Sequence, residues 1–147
     1  DEATLMRFPG SKGEVSAAVL GDGQVGVVVS NTIIGRACDW LPWAKELADR
    51  GYRVMLFNYS VLMPTTDIPA AVDTFARDTV EAAAMLRQMG VQKVALVGGS
   101  VGGLSVTRGV GRRGEGRRDR LPVGIRLDRG HRLARWAAGT SAVRGGP

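Results

Sequence analysis

The sequence predicts an α/β protein with a doubly wound, mostly parallel sheet. Short apolar runs rich in β-branched residues alternate with segments whose apolar residues recur every three or four positions. Two of these runs, Val25–Ser30 and Lys93–Gly98, are apolar almost throughout, which is typical of strands covered by helices on both faces. Because strands alternate with helices, we expect parallel pairing through right-handed crossovers.

The N-terminal 30 residues predict three strands joined by turns. Residues 4–8 and Glu14–Leu20 are β-like runs separated by the turn-rich sequence PGSKG. The sequence GDGQ predicts a second turn, and the buried strand Val25–Ser30 follows it.

A helix is predicted after this third strand. Trp40, Trp43 and Leu47 stand at helical spacing behind Asp39, a residue type that caps helices. Gly51 stands where a glycine commonly ends a helix. The predicted helix therefore lies between Asp39 and Gly51.

The chain continues as strand, helix and strand. Residues 52–60 predict a strand, and Asp67 is placed to cap a longer helix over residues 70–89, which carries one mostly apolar stripe. Lys93–Gly98 is the next buried strand, and Ser100 falls at the turn into a further helix. Ligands of such sheets bind at the carboxyl ends of the strands, so Ser100 is well placed for a functional role.

The charge divides the chain into two parts. Residues 1–107 carry 9 basic and 11 acidic side chains, a net charge of −2, whereas residues 108–147 carry 11 arginines, no lysine and 3 acids, a net charge of +8. We expect a partial α/β domain over residues 1–107 and a disordered basic tail over residues 108–147.

The Arg/Gly-rich tail has three interpretations. It resembles nucleic-acid-binding segments in composition, but Trp136 is its only aromatic residue, so a nucleic-acid partner is not predicted. It could also be a flexible terminus. A shifted reading frame is favoured, because periodicity stops abruptly after Thr107.

Composition excludes several kinds of site. Cys38 is the only cysteine, so no internal disulfide can form, and His131 is the only histidine, which excludes a multi-histidine metal site. No cofactor is predicted. No apolar run reaches the ~20 residues that span a membrane. The N-terminal residues do not resemble a signal peptide. The compartment stays open, with a cytoplasmic location slightly favoured.

Residues 98–102, GGSVG, fit the pattern G-x-S-x-G between a strand and a helix. A serine on such a sharp turn is exposed and can reach a substrate carbonyl, and glycines relieve crowding two residues to either side. Ser100 is therefore a candidate nucleophile. The main-chain N–H of Val101, at the helix N-terminus, is a candidate donor to an oxyanion.

Residues 1–107 resemble the α/β-hydrolase family. The resemblance rests on GGSVGG, on the block VGVVVSN…DWLPWAKELADRGYRVMLFNY and on VQKVALVGG. It implies a serine hydrolase, such as an esterase, lipase or peptidase, that acts on a small acyl substrate through an acyl-enzyme. It also implies a second oxyanion N–H in the loop after the strand Val25–Ser30, near Thr32 or Ile33.

The sequence departs from the family pattern in three places. Asn31-Thr32 stands where many members have His-Gly, and residues 58–61 replace an Asp-x-x-Gly loop. The acid and base of the family come from strands after the nucleophile, which are missing here. Asp128 and His131 do not match them, and His131 is expected to be an exposed histidine rather than the base. We therefore expect a truncated hydrolase that is weakly active or inactive, with no partner strand on the far side of Lys93–Gly98.

Two other interpretations of VALVGGSVGG stay open. The run also resembles an FAD- or NAD-binding glycine loop, with Gly98 and Gly103 as two of its three glycines. Ser100 replaces the middle glycine, and no strand ending in an acid is predicted ~20 residues later, so this oxidoreductase interpretation is second. The glycines could also serve only close helix–sheet packing.

Overall fold

The computed structural model describes residues 2–32, 35–61, 67–114 and 125–127. These residues form one six-stranded sheet and three α-helices. The strands are β1 (Thr4–Pro9), β2 (Glu14–Leu20), β3 (Val25–Ser30), β4 (Tyr52–Phe57), β5 (Lys93–Gly98) and β6 (Ile125–Leu127). The helices are α1 (Leu41–Asp49), which follows a 3₁₀ turn at Ala37–Trp40, α2 (Ile68–Gln88) and α3 (Val101–Gly114).

The sheet is doubly wound around β3. The strand order is β1-β2-β4-β3-β5-β6. The four neighbouring strands β4, β3, β5 and β6 are parallel to one another. Strands β1 and β2 form an antiparallel hairpin at the other end of the sheet, where β2 pairs antiparallel with β4. The chain runs from β3 outward to β4 and returns across β3 to β5. This reversal creates a crevice at the carboxyl ends of β3 and β5.

Side chains of alternate residues fill two apolar layers, one on each face of the sheet. Val28 and Met55 point into the layer that contains Leu86 of α2 and Val106 of α3. Val27 and Val29 point into the opposite layer with Ala44 and Ala48 of α1 and Leu56 of β4. A strand covered on both faces favours apolar residues at successive positions, which explains the apolar run over residues 25–29 of β3.

The caps of the helices match the sequence prediction in part. Asp67 accepts a hydrogen bond from the Ala70 N–H at 3.0 Å and caps α2, as predicted. Gly51 and Gly90 have positive φ of 85° and 88° and follow α1 and α2. Asp39 does not cap α1: its carboxylate accepts from the Arg36 N–H at 2.8 Å, within the 3₁₀ turn.

The structure differs from the sequence prediction near the end of the chain. The boundary expected after Thr107 falls inside α3, which continues to Gly114. The expectation that Lys93–Gly98 lacks a partner on its far side is wrong, because β6 pairs with it and places Leu127 opposite Gly98. The rest of the expected tail, residues 115–124 and 128–147, is outside the described residues. Among the helices described, none is long and apolar enough to cross a membrane.

One buried carboxylate joins three parts of the fold. Asp78 of α2 is fully buried and accepts hydrogen bonds from the N–H and the hydroxyl of Ser11, in the β1–β2 turn, at 2.7 and 2.9 Å. Its second oxygen accepts from the Ser60 N–H, beyond β4, at 2.7 Å. A carboxylate with several donors satisfies otherwise unpaired backbone groups in these loops.

We expect Asp78→Ala to lower the free energy of unfolding by about 2–4 kcal/mol, because partly buried donors lose their acceptor. Urea unfolding measures the change. The matched control is Asp73→Ala on the same helix, which removes a half-exposed ion pair with Arg108 and should change stability by about 1 kcal/mol or less. Equal losses in both variants would contradict the role assigned to Asp78.

Candidate functional site

The loop after β3 and the turn after β5 meet at the crevice. A methyl group at Gly99 would lie 3.2 Å from Cγ2 of Thr32 and 3.4 Å from the ring of Trp40. The two segments are therefore in van der Waals contact. They enclose the edge of the sheet at which α/β proteins bind ligands.

Ser100 lies exposed on a strained turn between β5 and α3. Its φ is 53°, and it is the only non-glycine residue with positive φ in the described part of the chain. Its carbonyl accepts from the Gly103 N–H at 2.9 Å, and the Gly102 N–H donates to the Gly99 carbonyl at 2.9 Å. A left-handed conformation costs a residue with a Cβ atom roughly 1–2 kcal/mol. Strain of this kind clusters at functional sites, where the surrounding structure holds it.

Two glycines of the motif allow backbone to pack directly on backbone. A methyl group at Gly98 would overlap the Gly102 carbonyl and lie 2.6 Å from the Gly103 nitrogen. A methyl group at Gly102 would overlap the Ser30 carbonyl and lie 2.5 Å from the Asn31 oxygen. Both positions therefore serve close packing, as one interpretation of the sequence expected. That packing does not explain an exposed hydroxyl in a strained conformation between them.

The candidate oxyanion donors differ in their present partners. Val101 is the first residue of α3, and the first N–H groups of a helix have no acceptor within it. The N–H of Thr32, in contrast, donates to Oδ1 of Asn31 at 2.8 Å. Ile33 lies outside the described residues.

Asn31 is the polar centre of the site, and sequence reasoning noted it only as a departure from a family pattern. It is 2% exposed. Its amide nitrogen donates to the Gly35 carbonyl at 2.6 Å, and its amide oxygen also accepts from the Trp40 indole N–H at 3.0 Å. The available signal was a lone amide side chain directly after an apolar strand.

A second polar network fixes the end of β3 from the other side. The Tyr59 hydroxyl donates to the Asn31 carbonyl at 2.7 Å and lies 2.7 Å from the hydroxyl of Ser30. The Ser30 hydroxyl also lies 3.1 Å from that of Thr79. The Tyr59 ring stacks on Phe75 with centroids 3.8 Å apart. Burial raises the pKa of the Tyr59 phenol well above its ordinary value, and the nearby charge of Asp78 acts in the same direction, against a lowering hydrogen bond from Ser30.

The histidine that usually acts as the general base for a nucleophilic serine is not among the described residues. They contain no histidine, because His131 is the only one in the chain, and both Asp128 and His131 lie outside them. The described residues also contain no cluster of ligands that could hold a metal ion. What the structure brings together is Ser100, the Val101 N–H, Thr32 and Asn31.

We expect Gly102→Ala to lower the free energy of unfolding by about 3 kcal/mol, since the added methyl group meets rigid carbonyls of Ser30 and Asn31. Chemical denaturation measures it. Gly109→Ala, later in α3, is the control: its methyl group would lie 3.2 Å from Val80 Cγ2 and 3.3 Å from the Ala76 carbonyl oxygen, both farther than the carbonyls at Gly102, and the gain in helix propensity of roughly 1 kcal/mol offsets these contacts. A mild effect at Gly102 would show that α3 can move away from β3.

We expect the stability difference between the wild type and Tyr59→Phe to shrink as the pH rises above 10. The raised pKa means that the folded state keeps the phenol proton where the unfolded chain releases it. This contribution is therefore complete at neutral pH and is lost progressively at higher pH. Urea unfolding of both proteins between pH 8 and about pH 11 tests it. A difference that stays constant or widens with pH would refute it.

The chain matches no protein-family model and no curated protein. It is similar to solved structures of hydrolases. A mutant epoxide hydrolase from Vigna radiata is 19% identical over 78% of this chain, with a TM-score of 0.60. An epoxide hydrolase from an endophytic Streptomyces is 17% identical over 84%, with a TM-score of 0.61. A lidless α/β serine hydrolase from Xanthomonas campestris is 18% identical over 76%, with a TM-score of 0.57.

The chain covers 36% of each of these two epoxide hydrolases and 56% of the serine hydrolase. Identities at this level establish the fold and leave the activity to be argued from the site. The described part of the chain has an α/β sheet with the α/β-hydrolase fold.

Proposed function

We propose that the chain is part of a serine hydrolase that acts on an ester or related acyl bond of a small molecule, with Ser100 as the nucleophile. The observation that carries this proposal is the exposed Ser100 at a φ of 53°, on the turn that follows β5. A strained, solvent-facing hydroxyl at the carboxyl edge of a parallel sheet is the geometry in which α/β-hydrolases present a nucleophile for acyl transfer.

The proposed reaction has two halves. Oγ of Ser100 attacks the substrate carbonyl carbon, a base takes the hydroxyl proton, and the carbonyl oxygen gains negative charge. The N–H of Val101, with a second N–H from the loop at Thr32 or Ile33, stabilises that charge. The tetrahedral intermediate then expels the alcohol, whose oxygen takes the proton from the base, and water cleaves the acyl-serine ester to release the carboxylic acid and regenerate Ser100.

The type of nucleophile favours acyl substrates over epoxides. A serine that opened an epoxide would form an ether, and an ether offers no carbonyl for water to attack. An acyl-serine is an ester, whose hydrolysis returns the free enzyme. The epoxide hydrolases among the similar structures therefore support the fold of this proposal, and the hydroxyl at position 100 supports its chemistry.

The described residues supply no histidine as the base of this mechanism. Without an activated base, a serine keeps the fraction of catalysis that comes from oxyanion stabilisation and binding. We therefore propose slow acylation and weak or absent turnover for the chain as given, with no cofactor.

The glycine loop gives less support to FAD or NAD binding. The middle glycine of that fingerprint lets the backbone approach the pyrophosphate, and here Ser100 stands in its place with a side chain that hinders a close approach. The tight packing of Gly98 fits both interpretations, because the first glycine of the fingerprint also serves a tight turn.

A fluorophosphonate probe tests the proposal. We expect covalent labelling of Ser100, located by mass spectrometry, that Ser100→Ala abolishes. The matched control is Ser16→Ala, which removes an exposed hydroxyl from the regular strand β2. Ser100 should react at least ~10-fold faster than Ser16, because the oxyanion donors accelerate it.

Two outcomes would overturn the proposal. One is a wild-type protein whose Ser100 reacts no faster than Ser16. The other is a rise in melting temperature with FAD or NAD⁺, together with no labelling, which would establish the dinucleotide-binding alternative.

A further inference from the structure

The side chain of Asn31 connects three segments of the candidate site. Its amide oxygen accepts from the Thr32 N–H at 2.8 Å and from the Trp40 indole N–H at 3.0 Å, and its amide nitrogen donates to the Gly35 carbonyl at 2.6 Å. The residue is 2% exposed, so water does not compete for these bonds. Buried networks that are this well satisfied make a loop rigid.

Both partners of the amide oxygen line the turn that carries Ser100. The nearest neighbours of a methyl group placed on Gly99 would be Thr32 Cγ2 at 3.2 Å and the Trp40 ring at 3.4 and 3.6 Å. One oxygen atom of Asn31 therefore holds the two groups that lie beside Gly99, the residue before Ser100.

The backbone of Asn31 is also fixed in place. Its carbonyl accepts from the Tyr59 hydroxyl at 2.7 Å and packs against the α carbon of Gly102, where a methyl group would lie 2.5 Å away. The residue is thus attached to the sheet, to the first turn of α3 and to the loop after β3.

We propose that Asn31 is a positioning residue that holds Thr32 and Trp40 against the Gly99–Ser100 turn. This inference rests on the proposed function of Ser100. It adds a specific consequence for the oxyanion site. While the Thr32 N–H donates to the Asn31 side chain, the Thr32 N–H is not the second donor to a substrate oxygen. Asn31 touches no reacting atom and acts through its two partners.

The test compares fluorophosphonate inactivation of the full chain and its variants, with the rate constant kinact separated from the binding constant KI. Asn31→Ala removes all three side-chain bonds. We expect kinact to fall about 10- to 100-fold, because small displacements of positioned groups cost rates of this order. KI should change little, because the probe's contacts remain.

Two further variants make the comparison specific. Trp40→Phe keeps an aromatic ring and removes only the indole N–H, and we expect a smaller loss of about threefold to tenfold in kinact, in line with one hydrogen bond. Asn58→Ala is the matched control. It removes the acceptor of the Ala37 N–H, a bond close to the site that does not involve Thr32 or Trp40, and its kinact should equal that of the wild type.

The indole N–H resonance of Trp40 gives a readout that does not depend on reactivity. It is assigned by its loss in Trp40→Phe, and it should shift in Asn31→Ala and stay in place in Asn58→Ala. Thermal unfolding identifies a variant that does not fold. If Asn31→Ala is such a variant, Trp40→Phe decides, and a wild-type kinact there overturns the inference.

The outcomes separate this inference from the proposed function. If Ser100 of the wild type is not labelled selectively, the proposed function fails and the inference fails with it. If Ser100 is labelled selectively but folded Asn31→Ala reacts with a wild-type or higher kinact, Asn31 is not a positioning residue and the proposed function stands.

Discussion

Direct contact between two pieces of backbone organises the whole candidate site. The first turn of α3 lies on the end of β3 so closely that Gly102 has no room for a Cβ atom beside the Ser30 carbonyl. A side chain between them would act as a flexible spacer, whereas touching peptide groups leave little freedom for either segment to shift. The strained conformation of Ser100 is tolerated because the strand before it and the helix after it are both fixed by such contacts.

Side-chain acceptors and a substrate oxygen compete for the same backbone N–H groups, and this competition determines how many donors the site can offer to a substrate. Where β3 ends, its peptide groups leave the sheet and need other partners, and side chains provide them. The Tyr59 hydroxyl donates to the Asn31 carbonyl, and the Asn31 side chain accepts from the Thr32 N–H. The more completely such partners satisfy the loop, the more rigid it becomes and the fewer donors it can offer to a substrate. On the α3 side the donors come from a helix N-terminus, where no internal acceptor exists.

The sequence predicts those features of the fold that local patterns encode. Unbroken apolar runs identify β3 and β5, and Asp67 marks the start of α2, because strand burial and helix capping depend on a few adjacent residues. Asp39 looks equally suitable as a cap from the sequence. In the structure its carboxylate accepts from the Arg36 N–H at the start of the 3₁₀ turn, and it does not cap α1. Strand β6 is only three residues long and follows an Arg/Gly-rich segment, so no periodic pattern in the sequence predicts it.

The candidate site divides in the same way. Ser100 and its glycines form a contiguous motif at a strand end and can be recognised from their spacing. The partners of Asn31 stand 1, 4, 9 and 28 positions away along the chain. Only the fold brings Tyr59 and Trp40 to the same residue, so no local pattern predicts that Asn31 joins them.

The long-range hydrogen bonds of Asp78 have a consequence for biosynthesis. Ser11 and its carboxylate partner are 67 residues apart in the chain. A nascent polypeptide will therefore expose its N-terminal hairpin well before the ribosome has released the group that anchors the hairpin turn. Loop closure over this separation costs entropy before the contact forms, and until then the hairpin turn has only partners that precede Asp78, such as the Ser60 hydroxyl, which accepts from the Lys12 N–H at 3.1 Å.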